Sequence, residues 1–342
     1  MSHVSEDKLR VGELFVLGFR GLEIPAWLRE FERDHGLGGV ILFDYNVQTK
    51  SYDNNVQSPE QVRALCRELS KMPSAPLIMV DQEGGKVRRL KEKLGFAPLP
   101  SAKAFNQLSP KDKKRLATAS FQEIRELGFH YNLAPVVDLD LNPANPDIGA
   151  VERSFSVNPD EVRKDVAVTV EAARAAGLGL CLKHFPGLGG ATVNSHEELT
   201  DLSGLVPEEQ LELFYELGRD LPGHAVLVSH GILREWDPRH PVSMSPAGIR
   251  RLREKLPEAL LLSDDIQMLG LQKMLPSRQA CVQGIRAGLD MIVIGNNMMA
   301  EDGFCLDHAK HLAQTVGTEA VLERHCTESI ARVRRIKREF GM

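Results

Sequence analysis

The fold class the chain predicts is α/β: a (β/α)8 barrel of the TIM type, a single domain over residues 1–342 with a helical extension from about residue 306. Three observations point there. Short apolar runs recur about eight times along the chain. They alternate with longer charged, amphipathic stretches, as strands covered on both faces alternate with the helices that cover them. The length of 342 residues exceeds the roughly 250 that a barrel needs. Length alone also admits two smaller domains, but about eight strands favour a closed barrel over a doubly wound sheet.

The runs, in order, are GELFVLGF (12–19), GGVILFD (38–44), APLIMVD (75–81), FHYNLAPVVDLD (129–140), LGLCLKHF (178–185), HAVLVSH (224–230), ALLLSDD (259–265) and DMIVIGN (290–296). All but the first carry polar or charged residues at or near the carboxyl end, among them Asp44, Asp81, Asp138, Asp140, Lys183, His184, His230, Asp264, Asp265 and Asn296. Barrel active sites lie at the carboxyl ends of the strands, so chemistry is sought there.

Between the runs, helix boundaries carry their own punctuation. Ser58 followed by Pro59 predicts a capped helix over 59–72. The stretch 159–177 closes on Gly177, and 277–288 closes on Gly288, both suited to the left-handed C-cap position. The tail reads as two helices. Val321, Leu322, Ile330, Val333 and Ile336 predict a packed face on the last one, and its basic end, Arg332 to Arg338, reads as a solvated face.

Composition excludes several function classes. A formal net charge of −5 with scattered cations argues against a nucleic-acid partner held by phosphate contacts. No apolar stretch reaches the roughly 18 residues of a membrane span, and the N-terminus carries charges where a signal peptide needs its apolar run. A cytoplasmic protein without a membrane partner is expected. Cys66, Cys181, Cys281, Cys305 and Cys326 are odd in number and widely spaced, which predicts free thiols. No phosphate loop follows the Gly-Gly of residues 84–85, and no cofactor is expected. Oligomeric state is left open.

Four constellations could carry chemistry. Asp81-Gln82-Glu83-Gly84-Gly85, running on to Arg89, leaves a strand into a Gly-Gly turn, which allows a tight reversal and aims an acid at the barrel mouth; a solvated turn is the plain alternative. Lys183 and His184 close a strand and can hold sugar hydroxyls or an anion, or form a structural polar cluster. The glycine-rich stretch after them leads to Asn194, Ser195 and His196, where the histidine is either exposed or positioned over the site. Asp264 and Asp265 offer a strand-end nucleophile and a helix N-cap, and strand alternation keeps them from facing the same way. Arg153 is a surface residue or a clamp for a carboxylate or ring hydroxyl.

Taken together, VDQEGGKVRRL (80–90), NLAPVVDLDLNP (132–143), ERSF (152–155), KHFPGLGG with its following SH (183–196), SDDIQM (263–268) and AGLDMIVIGNN (287–297) resemble family 3 glycoside hydrolases. The likeness is to the single-domain bacterial β-N-acetylglucosaminidases of cell-wall recycling. It implies retaining, exo-acting hydrolysis of a small carbohydrate substrate through a covalent glycosyl–enzyme. It implies Asp264 as nucleophile, His196 as acid/base, and Asp81, Arg89, Arg153, Lys183 and His184 as the residues that hold the sugar. An imidazole in place of a second carboxylate suits a group that gives and takes a proton near neutrality.

The chain departs from that pattern at three places. Asn194 stands where the family carries the Asp of an Asp–His dyad, Leu188 stands where it carries a second His, and the 43–61 stretch is longer than the family's loop. An amide supplies a dipole but no charge to an imidazolium. Slow breakdown of the glycosyl–enzyme is therefore expected, with a roughly tenfold gain from Asn194→Asp, about 1.4 kcal/mol in the barrier. Two other readings remain: a sugar-binding member with impaired turnover, and a glycosidase or phosphorylase of other sugar specificity. A metal site from His184, His196, His224 and His230 lacks any H-x-H or H-E-x-x-H spacing, and no metal is expected.

Overall fold

The computed structural model describes residues 9–195, 197–298 and 304–342, without the side chain of residue 304. Among the described residues ten strands form: β1 (Phe15–Leu17), β2 (Gly39–Leu42), β3 (Leu77–Val80), β4 (Gln82–Gly84), β5 (Val87–Arg88), β6 (Tyr131–Asn132), β7 (Gly179–Phe185), β8 (Ala225–Val228), β9 (Leu260–Asp265) and β10 (Met291–Ile294). Eight of them close into a barrel in the order β1-β10-β9-β8-β7-β6-β3-β2. Every pairing in it is parallel. Each predicted apolar run contains one barrel strand. The remaining two, β4 and β5, make the antiparallel hairpin of the Gly-Gly turn, with Gly84 and Gly85 at φ 101° and 58°.

The runs are apolar without alternation because the barrel has two cores. Val16, Ile41, Leu77, Met79, Tyr131, Cys181, Ala225, Leu227, Leu260, Leu262, Met291 and Val293 fill its interior. The residues between them, such as Val40, Ile78, Leu180, Val226, Leu261 and Ile292, pack outward against the helices. This is the period of two of a strand, with both phases buried.

Helices 26–35, 59–70, 110–127, 159–176, 208–219, 246–255 and 277–287 connect successive barrel strands. The Ser58 hydroxyl accepts from the Gln61 amide, and Gly177 and Gly288 take left-handed conformations at φ 68° and 109°. All five cysteines are free and buried. No helix among the described residues is long and apolar enough to cross a membrane.

The last helix, Ala320–Glu339, departs from expectation in two respects. Val321 is 52% exposed and stands outside the packed face. The basic end is solvated only in part: Arg334 and Arg338 are exposed, yet Arg332 pairs with buried Asp290, Arg334 pairs with Glu13 at 2.7 Å, and the buried Lys337 ammonium donates to the carbonyls of Leu37 and Ser74 at 3.0 and 2.7 Å. The helix lies across the barrel floor, where Val333 and Ile336 join the interior core and Phe340 packs edge-on to Tyr131. Arg332 and Lys337 therefore meet a buried acid and loop carbonyls, while Arg334 and Arg338 stay open to water.

Candidate active site

Strand alternation selects which strand-end side chains face the barrel axis. On β9, Leu260 and Leu262 point inward and Leu261 outward, so Asp264 continues the inward phase and Asp265 the outward one. The same parity places Asp81 in register with Leu77 and Met79, and Lys183 with Cys181. Asp264 is partly buried, and its Oδ1 accepts the Asp265 amide at 2.8 Å. Asp265 is not the helix N-cap expected of it. Its Oδ1 closes a turn on the Gln267 amide at 3.0 Å, and the helix 269–274 begins after Met268 with no side-chain cap.

Around the mouth a charged network joins strand ends far apart in the chain. Lys183 Nζ lies 2.8 Å from Asp81 Oδ1 and 2.6 Å from Glu83 Oε1. Arg153 grips Glu83 with two donors at 2.8 and 2.9 Å, so it is a buried clamp and not a surface residue. Arg89 reaches Asp81 Oδ2 at 3.3 Å from the more exposed side, its guanidinium 5.3 Å from the Phe43 ring centre. Arg153 Nη2 also donates to His184 Nε2 at 2.9 Å. A guanidinium has no acceptor, so the His184 proton sits on Nδ1 and is donated to Asp138 Oδ2 at 2.8 Å. Asp138 is fully buried, and its Oδ1 accepts the amides of His184 and Leu188 at 3.1 Å each. The Lys183–His184 peptide is cis.

The carboxylates and cations hold one another ionised. Burial alone would raise the Asp81 carboxyl, but Lys183 and Arg89 outweigh it and keep it below the usual carboxylate range. Glu83 is likewise penalised by burial and drawn far lower by Arg153 and Lys183. Burial would lower Lys183, yet Asp81 and Glu83 leave its ammonium more firmly protonated than a free lysine. Such a network offers fixed donors and acceptors without itself changing charge near neutrality.

The glycine-rich stretch after His184 is held close to the strand-end loops. A Cβ on Gly189 would lie 1.7 Å from the Leu139 carbonyl oxygen, an approach open only to glycine. Further along, the Asn194 carbonyl accepts the amides of Glu197 and Glu198 at 3.1 and 2.9 Å, and its amide nitrogen lies 3.4 Å from Glu197 Oε1. The Ser195 amide donates to Asp147 Oδ2 at 2.7 Å. His196 lies outside the described residues.

A model of the glycosyl hydrolase family 3 N-terminal domain matches residues 8–336. The chain belongs to glycosyl hydrolase family 3. Curated relatives include a β-hexosaminidase of Methylococcus capsulatus, 32% identical over 81% of this chain and 80% of its own, and one of Photobacterium profundum, 30% identical over 82% and 81%. Among solved structures, a family 3 β-N-acetylglucosaminidase from Paenibacillus superposes with a TM-score of 0.85 at 26% identity, over 98% of this chain; the chain spans 62% of that protein's length. A β-N-acetylhexosaminidase from Beutenbergia cavernae, at 24% identity and TM-score 0.82, shares the fold over 96% of this chain and 98% of its own.

In this family 3 barrel the structure brings Asp81, Arg89, Arg153, Lys183 and His184 into one network, with Asp264 on the inward face of a strand of the same mouth. Sequence reasoning passed over Glu83 and Asp138 as site residues. Glu83 stands two residues beyond Asp81, the strand spacing that repeats a facing direction, and that was its one local signal. Asp138 was visible only as a strand-end acid. The four-histidine metal set does not assemble among described residues: His224 precedes β8 and His230 follows it, so they stand at opposite ends of a strand, on the order of 20 Å apart. His230 instead contacts Ser243 Oγ at 2.7 Å and the Asp265 carbonyl at 3.2 Å.

Proposed function

We propose that this family 3 protein is an exo-acting, retaining β-N-acetylglucosaminidase. Asp264 attacks the anomeric carbon as the glycosidic C–O bond breaks, and His196 gives its proton to the leaving oxygen. In the second step His196 takes a proton from water as the water oxygen bonds to the anomeric carbon and Asp264 departs. Asp81, Arg89, Arg153, Lys183 and His184 hold the sugar ring. Terminal N-acetylglucosamine of cell-wall-derived glycosides is the substrate class, and wall recycling in the cytoplasm is the setting. The observation that carries the reading is the inward register of Asp264 at the same mouth as a buried network of paired charges. The names of the curated relatives support the N-acetylhexosamine part of it.

Covalent labelling with a mechanism-based fluorosugar, followed by peptide mapping, tests the nucleophile. Label is expected on Asp264, and Asp264→Asn is expected to lose several orders of magnitude in turnover while keeping its fold. Near-normal activity in Asp264→Asn together with loss in Asp265→Asn would sink the assignment. A panel of aryl glycosides, N-acetylglucosaminide against glucoside, tests the sugar. Asn194 favours one second reading, a sugar-binding protein with turnover lost. Binding of N-acetylglucosamine without labelling or hydrolysis would select it.

A further inference from the structure

A second concave site lies on the outside of the barrel. Where the last helix passes the helices 246–255 and 277–287, a cavity of about 510 Å³ opens, in the size range of pockets that hold small molecules. Arg250, Arg253, Arg286, Arg324, Arg332 and His325 line it, with Glu328 the one acid among the lining residues. The five guanidiniums are not equally committed. Arg286 is spent on Glu319, which takes two of its nitrogens at 3.1 and 2.8 Å. Arg253 and Arg332 share one carboxylate, the fully buried Asp290, at 2.6 and 2.5 Å. That carboxylate is saturated, because it also accepts the Leu261 amide and the Ser329 hydroxyl at 2.8 and 2.9 Å. One negative charge thus answers two cations, and Arg332 gives it a single nitrogen. Arg250 and Arg324 are exposed, and neither they nor Glu328 enter an ion pair among the described residues. Asp290 stands immediately before β10, so the cavity sits by the barrel floor, at the opposite end of the strands from Asp264.

We propose that this groove is a binding site for a small anion carrying two or more phosphoryl groups, separate from the sugar site and independent of the glycosidase reading. Guanidiniums match phosphoryl oxygens with paired donors, and Arg250, Arg324 and Arg332 keep donors for that purpose. Their spread sets the shape of the ligand. Arg324 and Arg332 stand about two turns apart on one helix, on the order of 12 Å along its axis, while Arg250 comes from the facing helix. A single phosphate is too compact to engage all three, whereas a chain of phosphoryl groups follows the groove. Pro246, Ile249 and Ala287 give the same groove an apolar wall, which suits a carbon-bearing remainder such as that of a nucleotide. An anion here also relieves the mutual repulsion of cations that one shared carboxylate leaves uncompensated.

The test is calorimetric titration of the full chain with inorganic pyrophosphate at constant ionic strength, with ADP and hexaglutamate titrated beside it. Saturable binding of pyrophosphate at one site is expected, with a Tm that rises with its concentration. The double variant Arg250→Gln, Arg324→Gln is expected to weaken that binding by about tenfold or more, at an unchanged ligand-free Tm, because both side chains are exposed and unpaired. Arg29→Gln with Arg67→Gln removes the same charge from exposed positions on the helices 26–35 and 59–70, outside the groove. That control is expected to leave the affinity within about twofold. ADP binding more tightly than pyrophosphate supports a nucleotide as the ligand, and equal affinities support an inorganic polyphosphate. The absence of saturable binding overturns the proposal. So does an equal weakening by the control pair, which would assign the effect to overall charge, or tighter binding of hexaglutamate than of either phosphate compound, which would assign the groove to an acidic peptide. If the double variant fails to fold, Arg324→Gln alone decides: a severalfold weakening supports the site, and wild-type affinity removes it.

Discussion

Lys183 illustrates how a residue's role changes when its surroundings are known. As a strand-end cation it is expected to affect sugar binding more than stability. Its side chain is 3% exposed, however, between two carboxylates that are 13% and 5% exposed. Removing the ammonium leaves Asp81 and Glu83 buried with one cation fewer, and an unmatched buried charge costs about 3–5 kcal/mol. Lys183→Ala is therefore predicted to lower the unfolding free energy by that order as well as to weaken sugar binding. Arg89 gives the contrast. It is 24% exposed at the rim and makes a single longer contact with Asp81. Arg89→Ala is predicted to weaken binding of N-acetylglucosamine while costing about 1 kcal/mol or less in stability. Urea unfolding and calorimetric titration of the two variants measure both quantities. Equal stability losses in the two would show that exposure does not separate their roles.

The C-terminal helix (Ala320–Glu339) acts as the barrel's floor. Val333 and Ile336 complete the interior core from below, and both are fully buried. Truncating a buried isoleucine to alanine costs about 2–5 kcal/mol, depending on how far the site collapses. Ile336→Ala is predicted to lose that much by urea unfolding. Turnover at saturating substrate is predicted to stay within about twofold, because the floor is at the opposite end of the strands from the chemistry. A large loss of kcat with unchanged stability would show that the floor transmits to the mouth. The amphipathic pattern of this helix was legible in the chain. That its cations dock on Asp290, Glu13 and loop carbonyls was not, since those partners lie up to 321 positions away.

At the scale of the whole molecule, the buried titratable groups set how stability varies with pH. His130, just before β6, accepts the Ile78 amide on Nδ1 at 3.0 Å. Burial, with Arg125 and Lys337 adding to it, lowers its pKa from 6.5 to about 4. The unfolded chain then binds more protons between these two values, so this contribution is intact above pH 6.5 and is lost as pH falls toward 4. Asp81 and Glu83, both held low, lose their contribution in a lower window, beginning near their ordinary values of 3.8 and 4.5. The urea midpoint is predicted to fall from pH 6.5 to 4 in the wild type and to flatten over that range in His130→Gln. An unchanged slope in the variant would assign the effect elsewhere. The same scale separates what the chain determined from what folding decided. Eight apolar runs, Gly-Gly at the β4–β5 turn, Ser-Pro and Gly helix ends, and polar strand ends are local patterns, and local patterns determined the barrel, its strands and the face where chemistry belongs. Which of Asp264 and Asp265 turns inward depended on the phase of β9 in the closed barrel. That Arg153 grips Glu83 across 70 positions, and that Asp147 meets Ser195 across 48, depended on strand ends meeting at one mouth. Such pairs leave no periodic trace in the chain, because the contact that couples them exists only after the barrel has closed.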